Sequence, residues 1–427
     1  MRGKHFLERA SWTLIDQCVV SGGNFLLNVL LARKLSQDDY GAFALFLGAI
    51  FLLRAIDYSL ISYPVAVRWH GALEHERARL LGNSSVLAAA LAFVFVLVMA
   101  LGTMVSGEDD ILVPACLCFL CWQAQETSRR YLLADFRYRS AVAGDGIAYV
   151  GQALLIAFVA WIDTITLTAA LYLMSVTFAL GALVHVSRLQ FQRPDLTETR
   201  RLAADYFSIG KWSIISYELV LIRVQLFPWI LAATAGTGAT ALLQAGLNIA
   251  NMMNPVIFGI GNAIPQVAAH AHRTEGVSGA WRAATGYILF GLGPILIICA
   301  AAIAMPDLAL HLAYGPSSPY LAGALTLQLL AVAGVLDYVA EMISKTLLGV
   351  EAGRAASLVN VLAVGVAAGL AFAFIDPLGV VGACLALLIA NLVRMSGGTI
   401  AITMLISSER SRKQARNVTM AAGGNRQ

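Results

Sequence analysis

Apolar runs of about 20 residues recur along the whole chain, separated by short polar connections, and a helix of that length crosses the roughly 30 Å hydrocarbon core of a bilayer. We place spans at 10–32, 41–66, 83–105, 111–132, 143–161, 165–187, 209–232, 240–268, 283–305, 320–347, 355–375 and 379–405. Composition agrees: 59% of residues are hydrophobic and 13% charged, against about 45–50% and about 25% in soluble domains. That excess is too large for one buried core. In lipid each segment must satisfy its own backbone hydrogen bonds, so helices are expected. The ten-residue alternation of a membrane barrel is absent. The fold class expected is therefore all-α, a polytopic membrane protein of about twelve helices in two six-helix lobes. The first run follows a basic start (Arg2, Lys4, Arg9). It exceeds a signal-peptide core and lacks a cleavage site, so it reads as an uncleaved span.

Charge orients the spans, because Lys and Arg collect in cytoplasmic loops. With the N-terminus inside, 24 of the 29 Lys and Arg fall on the inner side, including Arg68, Arg77, Arg79, Arg129 and Arg130. The outer loops hold only Arg33 and Lys34. Three more, Arg54, Arg223 and Arg394, lie inside spans. One missed or extra span would reverse the alternation, so an even count near twelve follows, with both termini cytoplasmic.

The longest polar connection falls between spans six and seven. It divides the chain into a lobe at 1–188, a linker at 189–208, a lobe at 209–405 and a polar, basic tail at 406–427. The tail's composition suggests disorder. A faint repeat accompanies the halves: Trp12 and Trp212 open equivalent spans, and Leu31-Ala32 and Leu231-Ala232 close them. No phosphate-binding G-x-x-x-x-G-K-[ST] loop and no HExxH or G-x-S-x-G motif occurs, and no loop could house a soluble catalytic domain. The six cysteines lie in apolar runs. Cys118 and Cys121 lack a second pair, so they read as packing residues. No catalytic residue, metal site, cofactor or nucleic-acid partner is expected.

Ionisable residues within spans are costly, and they usually face a bundle interior or a wet cavity. Arg54, Arg223 and Arg394 sit near mid-span, too deep to snorkel. Asp57 follows Arg54 by three residues, on the same helical face. The pair reads either as structural or as a cavity cation partly neutralised when empty. Asn248, Asn251 and Asn254 form a polar face before Pro255, either as glue between helices or as part of a sugar or phosphate site. The candidate cargo-binding residues are thus Arg54, Arg223, Arg394, Asn248 and Asn251. Candidates for ion coupling are Asp16, Asp57, Glu218, Asp337 and Glu341. Asp337, Glu341 and Lys345 fall at i, i+4 and i+8, as an ion path or as a packed polar seam. His270, His272 and Arg273 read as a solvated loop meeting anionic lipid heads.

Two stretches carry a family resemblance. Residues 24–50 (NFLLNVLLARKLSQDDYGAFALFLGAI) show a first helix ending in LAR, a polar turn and YG. Residues 310–354 combine a YG turn with an LLG-x-x-GR-like exit. Both resemble bacterial polysaccharide and O-antigen-unit flippases of the multidrug/oligosaccharidyl-lipid/polysaccharide (MOP) exporter superfamily. The resemblance implies a transporter, not an enzyme. It would move an oligosaccharide on a polyprenyl diphosphate across the bacterial inner membrane by alternating access. A cationic cavity and an ion gradient are implied, with a polysaccharide polymerase and a chain-length regulator as partners. No motif transfers a role to the three arginines.

Other classes remain. A drug/cation antiporter of the same superfamily should favour carboxylates and aromatics over mid-span arginines. A membrane polysaccharide polymerase would normally carry a large outer loop. A non-transporting scaffold leaves the mid-span charges without purpose.

Overall fold

The computed structural model describes residues 2–424 apart from His70 and Glu108. The side chains of residues 1–11, 13–14, 106, 212–213, 215–220, 412–413 and 415–427 lie outside the description. Twelve long helices occur among the described residues. They are α1 (Arg2–Lys34), α2 (Gln37–Trp69), α3 (Glu74–Ser106), α4 (Leu112–Ala134), α5 (Tyr138–Ile162), α6 (Leu167–Val186) and α7 (Leu196–Ala235). Then come α8 (237–275), α9 (277–304), α10 (Pro319–Gly349), α11 (353–378) and α12 (380–424). A short helix, Pro306–Tyr314, joins α9 to α10.

Each expected span lies on one of these helices. The tail departs from expectation: it continues α12 as helix to Gly424. A carboxylate anchors that extension, since Glu409 accepts the Val277 N–H at 2.6 Å. Gly276 and Gly379, at φ 78° and 55°, break what would otherwise be continuous rods. At Gly276 a Cβ would meet the Glu409 carboxylate at 1.9 Å.

Local chemistry sets the helix starts. The Ser36 hydroxyl accepts from Asp39 N at 3.0 Å, with Asp38 and Asp39 in the first turn of α2, where carboxylates suit the helix dipole. Thr166 caps α6 through Ala169 N. Asp195 caps α7 through Thr197 N and Glu198 N. Those two N–H bonds hold the Asp195 carboxyl below its usual range.

Among the described residues, eight helical stretches are long and apolar enough to cross a membrane by length and composition. Two of them contain a break, at Gly276 and Gly379, and so carry two helices each. α4 is not among the eight, because Gln123, Gln125, Glu126, Arg129 and Arg130 occupy its second half. The outer surface is apolar instead of charged: Phe93, Leu97, Leu101 and Val105 stand exposed at four-residue spacing along α3. Such a stripe is stable against lipid and would be a liability in water.

Close packing groups Met1–Ala245 as one compact unit and Gly246–Gln427 as a second. In unit one, α4 packs on α6, α1 on α5, and α7 on α2. Glycine permits the α2 contact, because a Cβ on Gly210 would lie 2.2 Å from the Ser59 carbonyl. In unit two, α10 packs between the α8–α9 segment and the α11–α12 segment.

Candidate functional site

Unit one gathers its polar groups around the second half of α4. Glu126, Arg129 and Arg130 follow one another at helical spacing there. Arg129 is buried and holds three carboxylates: Asp16 of α1 at 2.5 Å, Asp145 of α5 at 2.6 Å and Glu126 at 3.4 Å. Glu126 in turn takes Arg54 Nη2 at 2.7 Å and Arg130 Nε at 2.6 Å on one oxygen. Gln125 Nε2 donates to Asp145 Oδ1 at 2.7 Å. His185 of α6 is fully buried, with Nε2 2.9 Å from the Ala141 carbonyl and 3.7 Å from Asp145 Oδ1. Asp16 Oδ1, Asp57 Oδ1 and Gln125 Oε1 are buried without a hydrogen-bond partner among the described residues. Several ionised groups in lipid persist only when mutually paired, and this network meets that condition for its arginines.

Two π-helical segments border the network. Residues Tyr58–Ser62 follow Asp57 in α2, and Gly146–Gly151 follow Asp145 in α5. Such bulges shift the register of a helix locally and recur at functional sites. The first one lets Ser62 reach back to Asp57 Oδ2 at 3.4 Å.

Arg54 and Arg130 are the network's accessible members, with side chains 29% and 27% exposed against 3% for Glu126. Arg54 lines a cavity of about 50 Å³ together with Asn24, Phe51, Trp122, Glu126 and Tyr149. Its guanidinium lies 5.8 Å from the Trp122 ring centroid, within cation–π range. Arg54 is paired with Glu126 and not with Asp57, the partner that spacing along α2 suggests. The helix places both on one side, but Glu126 arrives from α4 at a better distance.

Unit two brings together residues that the sequence reading keeps apart. Arg394 of α12 bonds Asp337 at 3.1 Å, Glu341 in a short contact and Asn360 Oδ1 at 2.8 Å. Glu341 also pairs with Lys345 at 3.4 Å. The i, i+4, i+8 stripe is thus a charged seam with a buried arginine beside it. Asn248 is buried and its amide donates to the Tyr314 hydroxyl at 3.4 Å. Asn251 is exposed and opens a 3₁₀ turn at Asn251–Met253, which breaks the α8 hydrogen-bond pattern just before Pro255. Arg223 is buried in α7. The Glu218 side chain lies outside the described residues.

Sequence reading misses Glu126, Arg129, Asp145 and His185. Arg129 and Arg130 read as inner-loop charges, yet both precede the end of α4 at Ala134. The available signal was an acid followed at i+3 and i+4 by two arginines within an assigned span. Among the described residues no three His, Cys, Asp or Glu side chains converge as a metal site requires.

No protein-family model and no curated protein matches the sequence. Solved structures do. The inward-facing conformation of a multidrug resistance MATE family transporter of the MOP superfamily aligns with TM-score 0.76 at 17% identity, covering 92% of this chain and 96% of that one. A MOP superfamily transporter from Pyrococcus furiosus, whose reversed binding-pocket polarity is described as suggesting a different function, aligns with TM-score 0.65 at 15% identity, over 93% and 95%. An outward-facing conformation of a MATE family transporter aligns with TM-score 0.61 at 15% identity, over the same shares. The chain shares the fold of these solved transporters over 92–93% of its own length.

Proposed function

We propose that this protein is an alternating-access transporter that moves a polyprenyl-diphosphate-linked oligosaccharide across the bacterial inner membrane for surface polysaccharide synthesis. The fold supports transport as the class, because solved proteins of this fold include inward- and outward-facing transporters. The observation that carries the anionic cargo is Arg54. It is a partly exposed guanidinium deep in a span, on a cavity wall with Trp122 and Tyr149 beside it. A guanidinium recognises phosphate with paired donors, and an aromatic face suits the apolar side of a sugar ring. Glu126 keeps the arginine neutralised between cargoes. Arg223, buried in α7, and Arg394, buried beside Asp337 and Glu341 in unit two, remain candidates for cargo contact on their mid-span positions alone. A polysaccharide polymerase and a chain-length regulator are the partners such a cargo calls for.

Arg54→Ala and Arg223→Ala should each lower export of surface polysaccharide at unchanged protein level, read by quantifying surface glycan against membrane abundance. Full export by both variants at normal abundance counts against the reading.

One observation favours a second reading, a cation-coupled antiporter. Asp337 and Glu341 are 34% and 24% exposed, beside Lys345 at 35%, while their arginine is buried, so unit two presents two carboxylates against one cation. Under the flippase reading these groups, with Asp16 and Asp57, serve ion coupling. Asp337→Asn should then weaken the dependence of translocation on an imposed proton or sodium gradient in proteoliposomes, and unchanged dependence removes Asp337 from that role. Uptake of a cationic drug that needs Asp337 but not Arg54 would select the antiporter.

A further inference from the structure

A second cavity in unit one, of about 370 Å³, lies where the end of α2, the start of α3 and the start of α7 meet. Arg68, Arg79 and Glu76 line it from the first two elements, Glu76 capping the start of α3 by accepting from Leu73 N, and Glu198 and Asp205 line it from α7. Arg68 Nε donates to Asp205 Oδ2 at 2.8 Å, and its Nη2 reaches the other oxygen. Arg79 Nε is 3.6 Å from Glu198 Oε2.

Residues 192–206, read from sequence mainly as a linker, are strapped onto this end of unit one. Gln192 N donates to the Ala78 carbonyl at 2.9 Å. Asn83 Oδ1 accepts from Asp195 N at 2.9 Å and from the Thr199 hydroxyl at 3.1 Å. Tyr206 and Ser84 share a hydroxyl bond at 2.7 Å. Gly82 makes the approach possible, because a Cβ there would lie 2.1 Å from the Gln192 carbonyl oxygen.

The strap is held by two kinds of contact. Asn83, Thr199 and Tyr206 are buried, so the hydrogen bonds they make are costly to break. The two ion pairs are exposed, with Arg68 at 49% and Arg79 at 55%, and exposed pairs add less stability than buried contacts, the forked Arg68 pair being the stronger of the two. The pairs can therefore open while the strap stays seated. Asn83 is 1% exposed, lines the cavity, and its Nδ2 has no hydrogen-bond partner among the described residues. Two guanidiniums and a buried amide donor complement a diphosphate, whose oxygens take several charge-assisted bonds at once. Val67, Leu80 and Leu202 add apolar wall for the start of a hydrocarbon chain.

Resting on the flippase reading above, we propose that this cavity is a docking site for the diphosphate headgroup of the lipid-linked cargo, occupied in its absence by the strap's own carboxylates. Asp205 and Glu198 stand in for the diphosphate on Arg68 and Arg79. Cargo binding displaces them, and the buried anchors at Asn83 and Tyr206 return them when the headgroup leaves. The contact is autoinhibitory: removing the carboxylates strengthens headgroup binding, and removing the arginines weakens it.

The test is calorimetric titration of the purified full-length protein in neutral detergent with farnesyl diphosphate as the probe. The Glu198→Gln/Asp205→Asn variant should bind at least about fivefold tighter than the parent, because each arginine is then free for the charge-assisted bonds. Adding Arg68→Gln/Arg79→Gln should cancel that gain. Unchanged or weaker binding by the carboxylate variant overturns the proposal. Equal affinity for farnesol or for inorganic pyrophosphate overturns the assignment to a lipid-borne diphosphate. If the carboxylate variant does not fold, Arg68→Lys gives the answer: it keeps the charge but loses the fork, so binding must weaken, and no change overturns the site. Loss of export in Arg54→Ala with no affinity effect in the strap variants removes the site and leaves the transport reading standing. Full export by Arg54→Ala with the strap effects intact does the opposite.

Discussion

Arg129 in unit one and Arg394 in unit two are both buried arginines that bind more than one carboxylate, yet their surroundings differ in one respect. Around Arg129 the carboxylates are buried as well: Asp16, Glu126 and Asp145 are 3% exposed or less, and the accessible members are cations, Arg54 at 29% and Arg130 at 27%. Around Arg394 the balance differs. The arginine is 2% exposed, and the accessible members are two anions, Asp337 at 34% and Glu341 at 24%, with one cation, Lys345 at 35%. The same pair chemistry therefore presents only cations around Arg129 in unit one and mainly carboxylates around Arg394 in unit two. What a buried ion pair offers to a ligand depends on which partner faces out, not on which residue types are present.

The largest effect should come from breaking the fully buried set. Arg129→Met leaves three buried carboxylates without their shared cation, a loss of about 3–5 kcal/mol for an uncompensated buried charge. Thermal unfolding of the detergent-solubilised protein and its abundance in membranes should both fall sharply. Wild-type stability in this variant would erase the contrast between the units.

Arg394→Met should cost less, on the order of 1–3 kcal/mol, because Asp337 and Glu341 can rehydrate when their partner goes. A loss equal to that of Arg129→Met would show that exposure of the carboxylates does not buffer the pair. Arg54→Ala should change stability least, within about 1 kcal/mol, since its side chain is partly solvated and Glu126 keeps Arg129 and Arg130. Loss of export at nearly unchanged stability is what separates a cargo-facing arginine from a structural one.

These differences explain what could be seen in the sequence. The twelve helices were legible because each is a local apolar run, and the arginines at 54, 223 and 394 stood out as charges inside such runs. The tail misled because its polar composition argues for disorder, whereas Glu409 docks it at the helix break beside Gly276. The Arg129 network was hidden for a different reason. Its partners come from α1, α4 and α5, more than 100 residues apart in the case of Asp16, and no local spacing announces such a meeting. Arg54 and Asp57 show the converse hazard: neighbours on a helix face need not pair when a carboxylate from another helix lies closer. The strap at 192–206 was read only as a connection because its grip on Asn83 and Ala78 is likewise nonlocal.

The central claim is that Arg54, an accessible cation of the Arg129 network, recognises the anionic cargo, and translocation in proteoliposomes tests it most directly. Protein carrying Arg54→Gln or Arg54→Lys would be reconstituted at equal density, and the transfer of a fluorescent short-chain polyprenyl-diphosphate glycan between leaflets followed. The account predicts that Gln lowers the rate by about tenfold or more, corresponding to the loss of one charge-assisted contact, while Lys retains most of it. Parental rates with Gln at position 54 would contradict it.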